Sequence, residues 1–260
     1  MGEVTVEIAD DKVAVITISN PAKLNAWSQA MRVQLREHFE WAVSLPRSEC
    51  AAIVLTGAGG NFSAGQDLDE AVGWGEDYAD TWVGNFRSFY DLPRKSPKPV
   101  VAAVEGVCAG SAFQFSLCAD FRVSHAEARI GQPEIKSGQA SVTGSALLAS
   151  AVGNVAMRAI VLTARLISGS DAYRLGIVNQ LANQADVLGT AKELALEMSD
   201  LPHEAYAASK LAICELEDDA LDRAFEVAIA SHAAVYASGA PREAITKFIG
   251  KSTRKTPTVG

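Results

Sequence analysis

Residues 51–56 read Ala51-Ala52-Ile53-Val54-Leu55-Thr56, and residues 57–68 read Gly57-Ala58-Gly59-Gly60-Asn61-Phe62-Ser63-Ala64-Gly65-Gln66-Asp67-Leu68. The first six form a short apolar run with no polar face, which predicts a strand buried on both sides. The glycines after it predict a loop, with a short helix beyond. The same order returns downstream. Val100 to Val104 is a second buried strand, Glu105-Gly106-Val107-Cys108-Ala109-Gly110 turns the chain, and Gly110 to Ala119 is small and apolar enough for a buried helix. Phe121 to Ser124 reads as a further strand. Strand, loop and helix in repeated order predict an α/β core.

Upstream, Val4 to Ile8 and Val13 to Ile18 alternate with period two about a turn at Asp10-Asp11, which predicts a hairpin closed off by Asn20-Pro21. Between Trp27 and Leu45, the residues Met31, Leu35, Phe39 and Ala42 recur at helical spacing. Tyr78 to Leu92 is helix-rich, and Trp82, Phe86, Phe89 and Tyr90 fall on one face, a pattern commoner in cores than in pockets. Lys95-Ser96-Pro97-Lys98-Pro99 breaks the chain before the next strand. After about residue 184 the strands stop. Helices are predicted over Leu188 to Met198, His203 to Leu216 and Asp219 to Ala237, with a short last one from Pro241 to Gly250.

The 260 residues are 48% apolar and 21% charged, a globular balance. The formal net charge of −8 argues against nucleic acid or an anionic membrane as partner. The apolar stretches are interrupted by Glu105, Gln114 and Arg158, so no membrane span is expected. The charged, alternating N-terminus does not read as a signal peptide. Cys50, Cys108, Cys118 and Cys214 lack framework spacing and are expected as reduced thiols in the cytoplasm. His38, His125, His203 and His232 stand alone, so no metal site is expected. The glycines at 57–60 precede neither a P-loop lysine nor a dinucleotide fingerprint, and there is no GxSxG elbow.

Two segments carry chemistry in principle. Asn61 to Leu68 and Glu105 to Gln114 both follow a buried strand and both open a helix, where backbone N–H groups are unpaired and partly positive. Facing each other, such turns can hold one developing oxyanion. The plainer reading, that small residues only permit tight turns, is the commoner one. A third segment, Ile130-Gly131-Gln132-Pro133-Glu134-Ile135, offers Glu134 either as a buried base or as a solvated loop carboxylate.

Taken together, Val13–Ala26, Ala51–Leu68, Pro99–Asp120, Gly131–Glu134 and the Leu162–Val178 region resemble the crotonase, or enoyl-CoA hydratase/isomerase, family. The resemblance implies a crotonase-like spiral of ββα units over residues 1–195 and a helical C-terminal oligomerisation region over 196–260. It also implies a homotrimer or dimer of trimers, and an enzyme acting on acyl-CoA thioesters, as in fatty acid metabolism. Coenzyme A then belongs to the substrate rather than to a permanent cofactor. Family members hold a thioester enolate with two backbone N–H groups, which the resemblance assigns to Ala64 and Ser111. It assigns CoA binding to Lys23, Leu24, Ala26, Ala64, Gln66, Asp67, Leu68 and Gly110, with help from a C-terminal lysine among Lys247, Lys251 and Lys255. The carboxylate that acts as acid or base falls on Glu134.

Departures from the family matter as much. The other carboxylate of the hydratases falls on Gln114, an amide that cannot exchange protons and is expected to orient water or substrate. Ser111 stands where glycine is usual. After Glu134, the polar segment Gly138 to Ser145 either lines the acyl group with Gln139, Ser141 or Thr143, or caps the next helix. The leading expectation is hydratase or isomerase chemistry. Thioester hydrolysis, carbon–carbon cleavage and acyl-CoA binding without catalysis are the alternatives.

Overall fold

The computed structural model describes residues 2–8 and 11–253, with side chains up to residue 247. Strands β1 (Glu3–Ile8) and β2 (Val13–Ser19) pair antiparallel, so the hairpin forms as expected, though Asp10 of its turn lies outside the described residues. Strands β3 (Ala52–Gly57), β4 (Val100–Val104), β6 (Phe121–Ser124) and β9 (Gln180–Leu181) then add in parallel, giving one sheet of order β1-β2-β3-β4-β6-β9. A smaller sheet joins β5 (Val107–Ala109), β7 (Arg129–Gly131) and β8 (Leu166–Ser168).

The two sheets are built by the same stretches of chain. After β4 the chain turns at Gly106 and enters β5 in the second sheet; after β6 it enters β7 there. After β3 it makes single bridges instead, Ser63 to Cys108 and Gln66 to Trp27. Strands β4 and β6 are thus each followed by a short strand in the other layer, and β3 by bridges toward it, which is the spiral expected of ββα units. The short strands β5, β7 and β8 do not stand out in the sequence, because three residues carry no readable period.

The parallel strands are covered on both faces, which explains their unbroken apolar sequence. Ile53 and Leu55 of β3 join a core with Met31, Leu35 and Phe39 of α1 (Gln29–Ser44) and Phe89 of α3 (Ala79–Arg94). Ala52 and Val54 point the other way, against Val187, Ala191 and Ala195 of α7 (Val187–Ser199). Helix α7 runs through the expected 195/196 division to its end at Ser199.

The short helices α2 (Leu68–Ala71), α4 (Ser111–Leu117) and α6 (Gly169–Arg174) close the turns of the spiral. Helix α5 (Val142–Thr163) is apolar and long enough to cross a membrane by length and composition, contrary to expectation. Gly153 (φ 75°, ψ 165°) interrupts its backbone, and it packs on α4 and on α8 (His203–Ala237). The break at Gly153 leaves two segments, each well short of the roughly 20 residues a span needs.

Helix α8 is continuous where two helices were expected. The expected gap fell at Glu217-Asp218. Instead Asp218 meets Arg94 at 2.8 Å and Arg87 at 3.1 Å from α3, and Lys95 just after that helix at 2.9 Å. Burial raises the Asp218 pKa, but Lys95 and Arg94 outweigh it and hold the carboxyl below its ordinary range. The last helix, α9 (Ala240–Thr253), passes the expected stop at Gly250.

Candidate active site

Three turns meet at one place, and main-chain hydrogen bonds lace them together. Ser63 N–H donates to Val107 O and Ala109 N–H to Ser63 O, both at 3.0 Å. Gly110 N–H donates to Gly131 O at 3.0 Å, which ties the start of α4 to the turn that carries Glu134. Trp27 N–H donates to Gly65 O at 2.8 Å, and Asp67 N–H to Trp27 O at 2.9 Å. Two glycines make the approach possible. Gly65 has φ 90°, and a Cβ there would lie 2.7 Å from Ala109 O and 3.1 Å from Ser111 N. Gly110 has φ 59° and ψ −135°, and a Cβ there would lie 3.7 Å from Glu134 Oε1.

One expectation needs correction. The Ala64 N–H already donates to Leu24 O at 2.9 Å, so it is not available to an oxyanion. Two residues on, the Gln66 N–H makes no hydrogen bond among the described residues, and neither does the Ser111 N–H at the first turn of α4. The pair of free donors is therefore Gln66 and Ser111, on either side of Gly65. The Ser111 hydroxyl accepts from Trp27 Nε1 at 3.1 Å, which draws that side chain back.

Glu134 opens a short 3-10 turn (Glu134–Ser137) after β7. The residue keeps some surface, but its carboxyl is walled in by Gly110, Gln114 and Gln132. Gln114 Nε2 donates to Oε1 at 2.9 Å. The fully buried Gln132 turns its amide to the same carboxyl and, with nitrogen inward, donates to Oε2 at 2.9 Å. Burial pushes the Glu134 pKa up to about 7, partly opposed by its own backbone N–H and by Gln114. A carboxyl tuned this way exchanges protons near neutral pH.

Gln114 itself departs from expectation. Its Oε1 accepts from Tyr90 Oη and from Thr143 Oγ1, each at 2.8 Å, while its nitrogen serves Glu134 and faces Gln132 at 3.2 Å. Both lone pairs of its oxygen are taken, so this oxygen has no capacity left for a water. Of the aromatic row, Trp82, Phe86, Phe89 and Tyr90 are all buried as core, and only the Tyr90 hydroxyl reaches the site. Thr143 does not cap α5; its hydroxyl is spent on Gln114. Gln139 is buried and donates to Tyr236 Oη of α8 at 3.0 Å.

The loop that the resemblance assigns to CoA opens with a short 3-10 turn at Pro21–Lys23. Leu24 (φ 51°) and Asn25 (φ 57°) take left-handed backbone, uncommon for side chains of this size. Asn25 holds the loop in place: its Nδ2 donates to Ala58 O and Asn61 O, each at 2.7 Å. That role is not readable from local sequence, because an Asn after a turn reads as turn chemistry. Leu24 is left exposed beside the site, and Ala26 is buried. Lys23 reaches Asp67 and Asp69, each at 2.6 Å. Gln66 accepts from the buried Arg32 and donates to Glu70 at 3.0 Å, and Leu68 starts α2. Helix α9 packs on α2 and on the Glu134 turn, with Lys247 exposed; the Lys251 side chain, Arg254 and Lys255 lie outside the described residues.

No cluster of metal-ligating side chains occurs among the described residues. A separate cavity of about 640 Å³ opens between β6, α5 and α8, lined by Cys118, Arg122, Leu147 and Ile213, and contains none of the expected site residues.

A sequence profile of the enoyl-CoA hydratase/isomerase family matches residues 9–256. The chain is 30% identical over 250 residues to a short-chain-enoyl-CoA hydratase of Clostridium acetobutylicum, covering 93% of each. It is 26% identical over 244 residues to a crotonyl-CoA hydratase of Syntrophomonas wolfei, again covering 93% of each. A crystal structure of an enoyl-CoA hydratase/isomerase from Xanthobacter autotrophicus superposes with a TM-score of 0.84 at 25% identity, over 97% of this chain and 93% of that one. The chain belongs to the enoyl-CoA hydratase/isomerase, or crotonase, family, and is an enzyme of that family.

Proposed function

We propose that this enzyme moves a proton on the carbon chain of an enoyl-CoA thioester, using Glu134 as its one acid–base group. The ionised carboxylate takes a proton from the carbon beside the thioester carbonyl. The charge passes to the carbonyl oxygen, which the N–H groups of Gln66 and Ser111 receive. The protonated Glu134 then returns the proton two carbons further on, and the double bond shifts. The observation that carries this reading is the carboxyl of Glu134, enclosed by two amides and tuned to about 7, with no second carboxyl hydrogen-bonded to it among the described residues. Water addition needs a second group to hold the water, and the oxygen of Gln114 is committed to Tyr90 and Thr143.

The loop at Lys23, Leu24 and Ala26, with Gln66, Asp67, Leu68 and Gly110, is the CoA side of this site. Lys23 is bridged by two carboxylates, so the phosphates of CoA compete with Asp67 and Asp69 for it. Assembly into trimers, alone or paired, completes the proposal. Val155 and Leu162 of α5 and Ile213 and Leu216 of α8 stand exposed, which favours burial against another copy. Light scattering reads the mass directly, and a monomer at micromolar concentration removes that part. Four buried free thiols fit a reducing cytoplasm.

Proton NMR of a panel of acyl- and enoyl-CoA thioesters in D₂O tests the chemistry. A shifted double bond, or deuterium beside the carbonyl without added water, supports it. A hydrated product as the main outcome overturns the single-base reading. Free CoA points to thioester hydrolysis, a shortened acyl chain to carbon–carbon cleavage, and binding without any exchange to an acyl-CoA-binding subunit; each of these also overturns it.

A further inference from the structure

The amide of Gln114 has one oxygen and one nitrogen to place, and it is held between the Glu134 carboxyl on one side and hydroxyl donors from two separate elements on the other. Tyr90 comes from α3 and Thr143 from the first turn of α5, yet both hydroxyls lie 2.8 Å from the same oxygen. Turned over, the amide would aim its oxygen at the Glu134 carboxyl, and while that group is ionised two acceptors would face each other with no proton between them. With the hydroxyls donating, the nitrogen is left to face Oε1 at 2.9 Å. Tyr90 is fully enclosed, and burial raises its pKa well above the ordinary phenol value, so it keeps the proton that this donation needs. Gln132, from the turn before Glu134, meets the same carboxyl from the other side and with its nitrogen inward donates to Oε2 at 2.9 Å.

We propose that Tyr90 and Thr143 are positioning residues, which act through the Gln114 amide to hold the Glu134 carboxylate in its working orientation. This rests on the reading of Glu134 as the base. The donor that faces the charged form stabilises it. If the clamp is loosened, Gln114 rotates, the carboxylate loses part of that donor, and the proton is held to higher pH. Among the described residues, the ionisable groups that bear on this site are Tyr90 from α3, with Arg32 of α1 and Cys118 beyond it, and Arg242, Glu243 and Lys247 of α9, which packs on the Glu134 turn and exposes all three; none of them pairs with Glu134, and Lys136 on its own turn is exposed.

The test reads Glu134 directly. Protein labelled with ¹³C at the glutamate carboxyls is titrated by NMR, with the Glu134 signal assigned by its absence in Glu134→Gln. Tyr90→Phe and Thr143→Val are each expected to raise the Glu134 midpoint by roughly 0.5–1 pH unit, and Thr143→Ser to restore it. In a Gln114→Leu background the same two substitutions are expected to move nothing further, since the coupling runs through that amide. A shift that survives in the Gln114→Leu background, or no shift from Thr143→Val in a folded protein, overturns the proposal. These arms need no substrate. If Glu134 is not the base, the pH profile of turnover will fail to track its NMR midpoint, while the titrations still decide the clamp.

Discussion

Replacing Glu134 by glutamine separates what this carboxyl does for the reaction from what it does to the fold. The side chain keeps its shape and can still hydrogen-bond to Gln114 and Gln132, but it no longer titrates. In the native protein burial raises the Glu134 pKa from 4.5 to about 7. A raised carboxyl favours the folded state only while it is protonated. Its contribution is complete below pH 4.5 and drains away as pH rises to about 7. Across that window the loss amounts to up to about 3 kcal/mol, at 1.36 kcal/mol per pKa unit. Glu134→Gln avoids that loss. The variant is therefore expected to match the wild type in stability near pH 4 and to exceed it by up to about 3 kcal/mol at pH 8. Turnover should move the other way: the wild-type rate climbs through pH 7 as the base ionises, while the variant is inactive across the range. Urea unfolding at a series of pH values, with rates measured on the same samples, checks both. A stability difference that does not change with pH, or a folded variant with full activity, would refute the placement of a buried base with a raised pKa at this position.

Gln114→Glu sets a second carboxyl against Glu134, where the amide nitrogen now sits at 2.9 Å. It should raise water addition to an enoyl-CoA by about tenfold or more, followed by loss of the enoyl absorbance. Gly65→Ala drives a Cβ to 2.7 Å from Ala109 O and 3.1 Å from Ser111 N. It should lower kcat by about 10²–10³ through the oxyanion donors, with a weaker effect on CoA affinity by titration calorimetry. Lys210→Ala strips the buried partner of Asp120, now 2.8 Å away, and should destabilise the protein by about 3–5 kcal/mol in chemical unfolding, with little change in the rate of the folded fraction.

Much of the frame was legible without coordinates. Ala51–Thr56 and Val100–Val104 could be read as buried strands because a run with no polar face has nowhere to go but between two layers. The hairpin at Val4–Ile8 and Val13–Ile18 followed from alternation, and the helix bearing Met31, Leu35 and Phe39 from its period. Glu134 and the two turns were legible by their order along the chain, which is what the family resemblance rests on. The short strands β5, β7 and β8 were not, since their pairing is set by the turns of the spiral rather than by their own residues. The continuity of α8 escaped the sequence for a similar reason. Its acidic stretch is met there by Arg87 and Arg94 of α3 and by Lys95 just after it, partners that the local sequence does not show.

The chain's order of residues settled the kind of scaffold, because burial and turn formation are written in local composition, and through the family resemblance it pointed to Glu134 as the candidate acid–base group. It could not settle which N–H groups are free. Ala64 and Gln66 sit two apart in the same turn, and only the Leu24 carbonyl, brought in by a strained loop some forty residues upstream, takes the first and leaves the second. Nor could it tell that Gln114 is saturated rather than open to water. That depends on Tyr90 and Thr143, from two helices far apart in the chain, arriving at one oxygen. Availability of a hydrogen-bonding group is a property of everything packed around it, so it emerges only when distant segments meet.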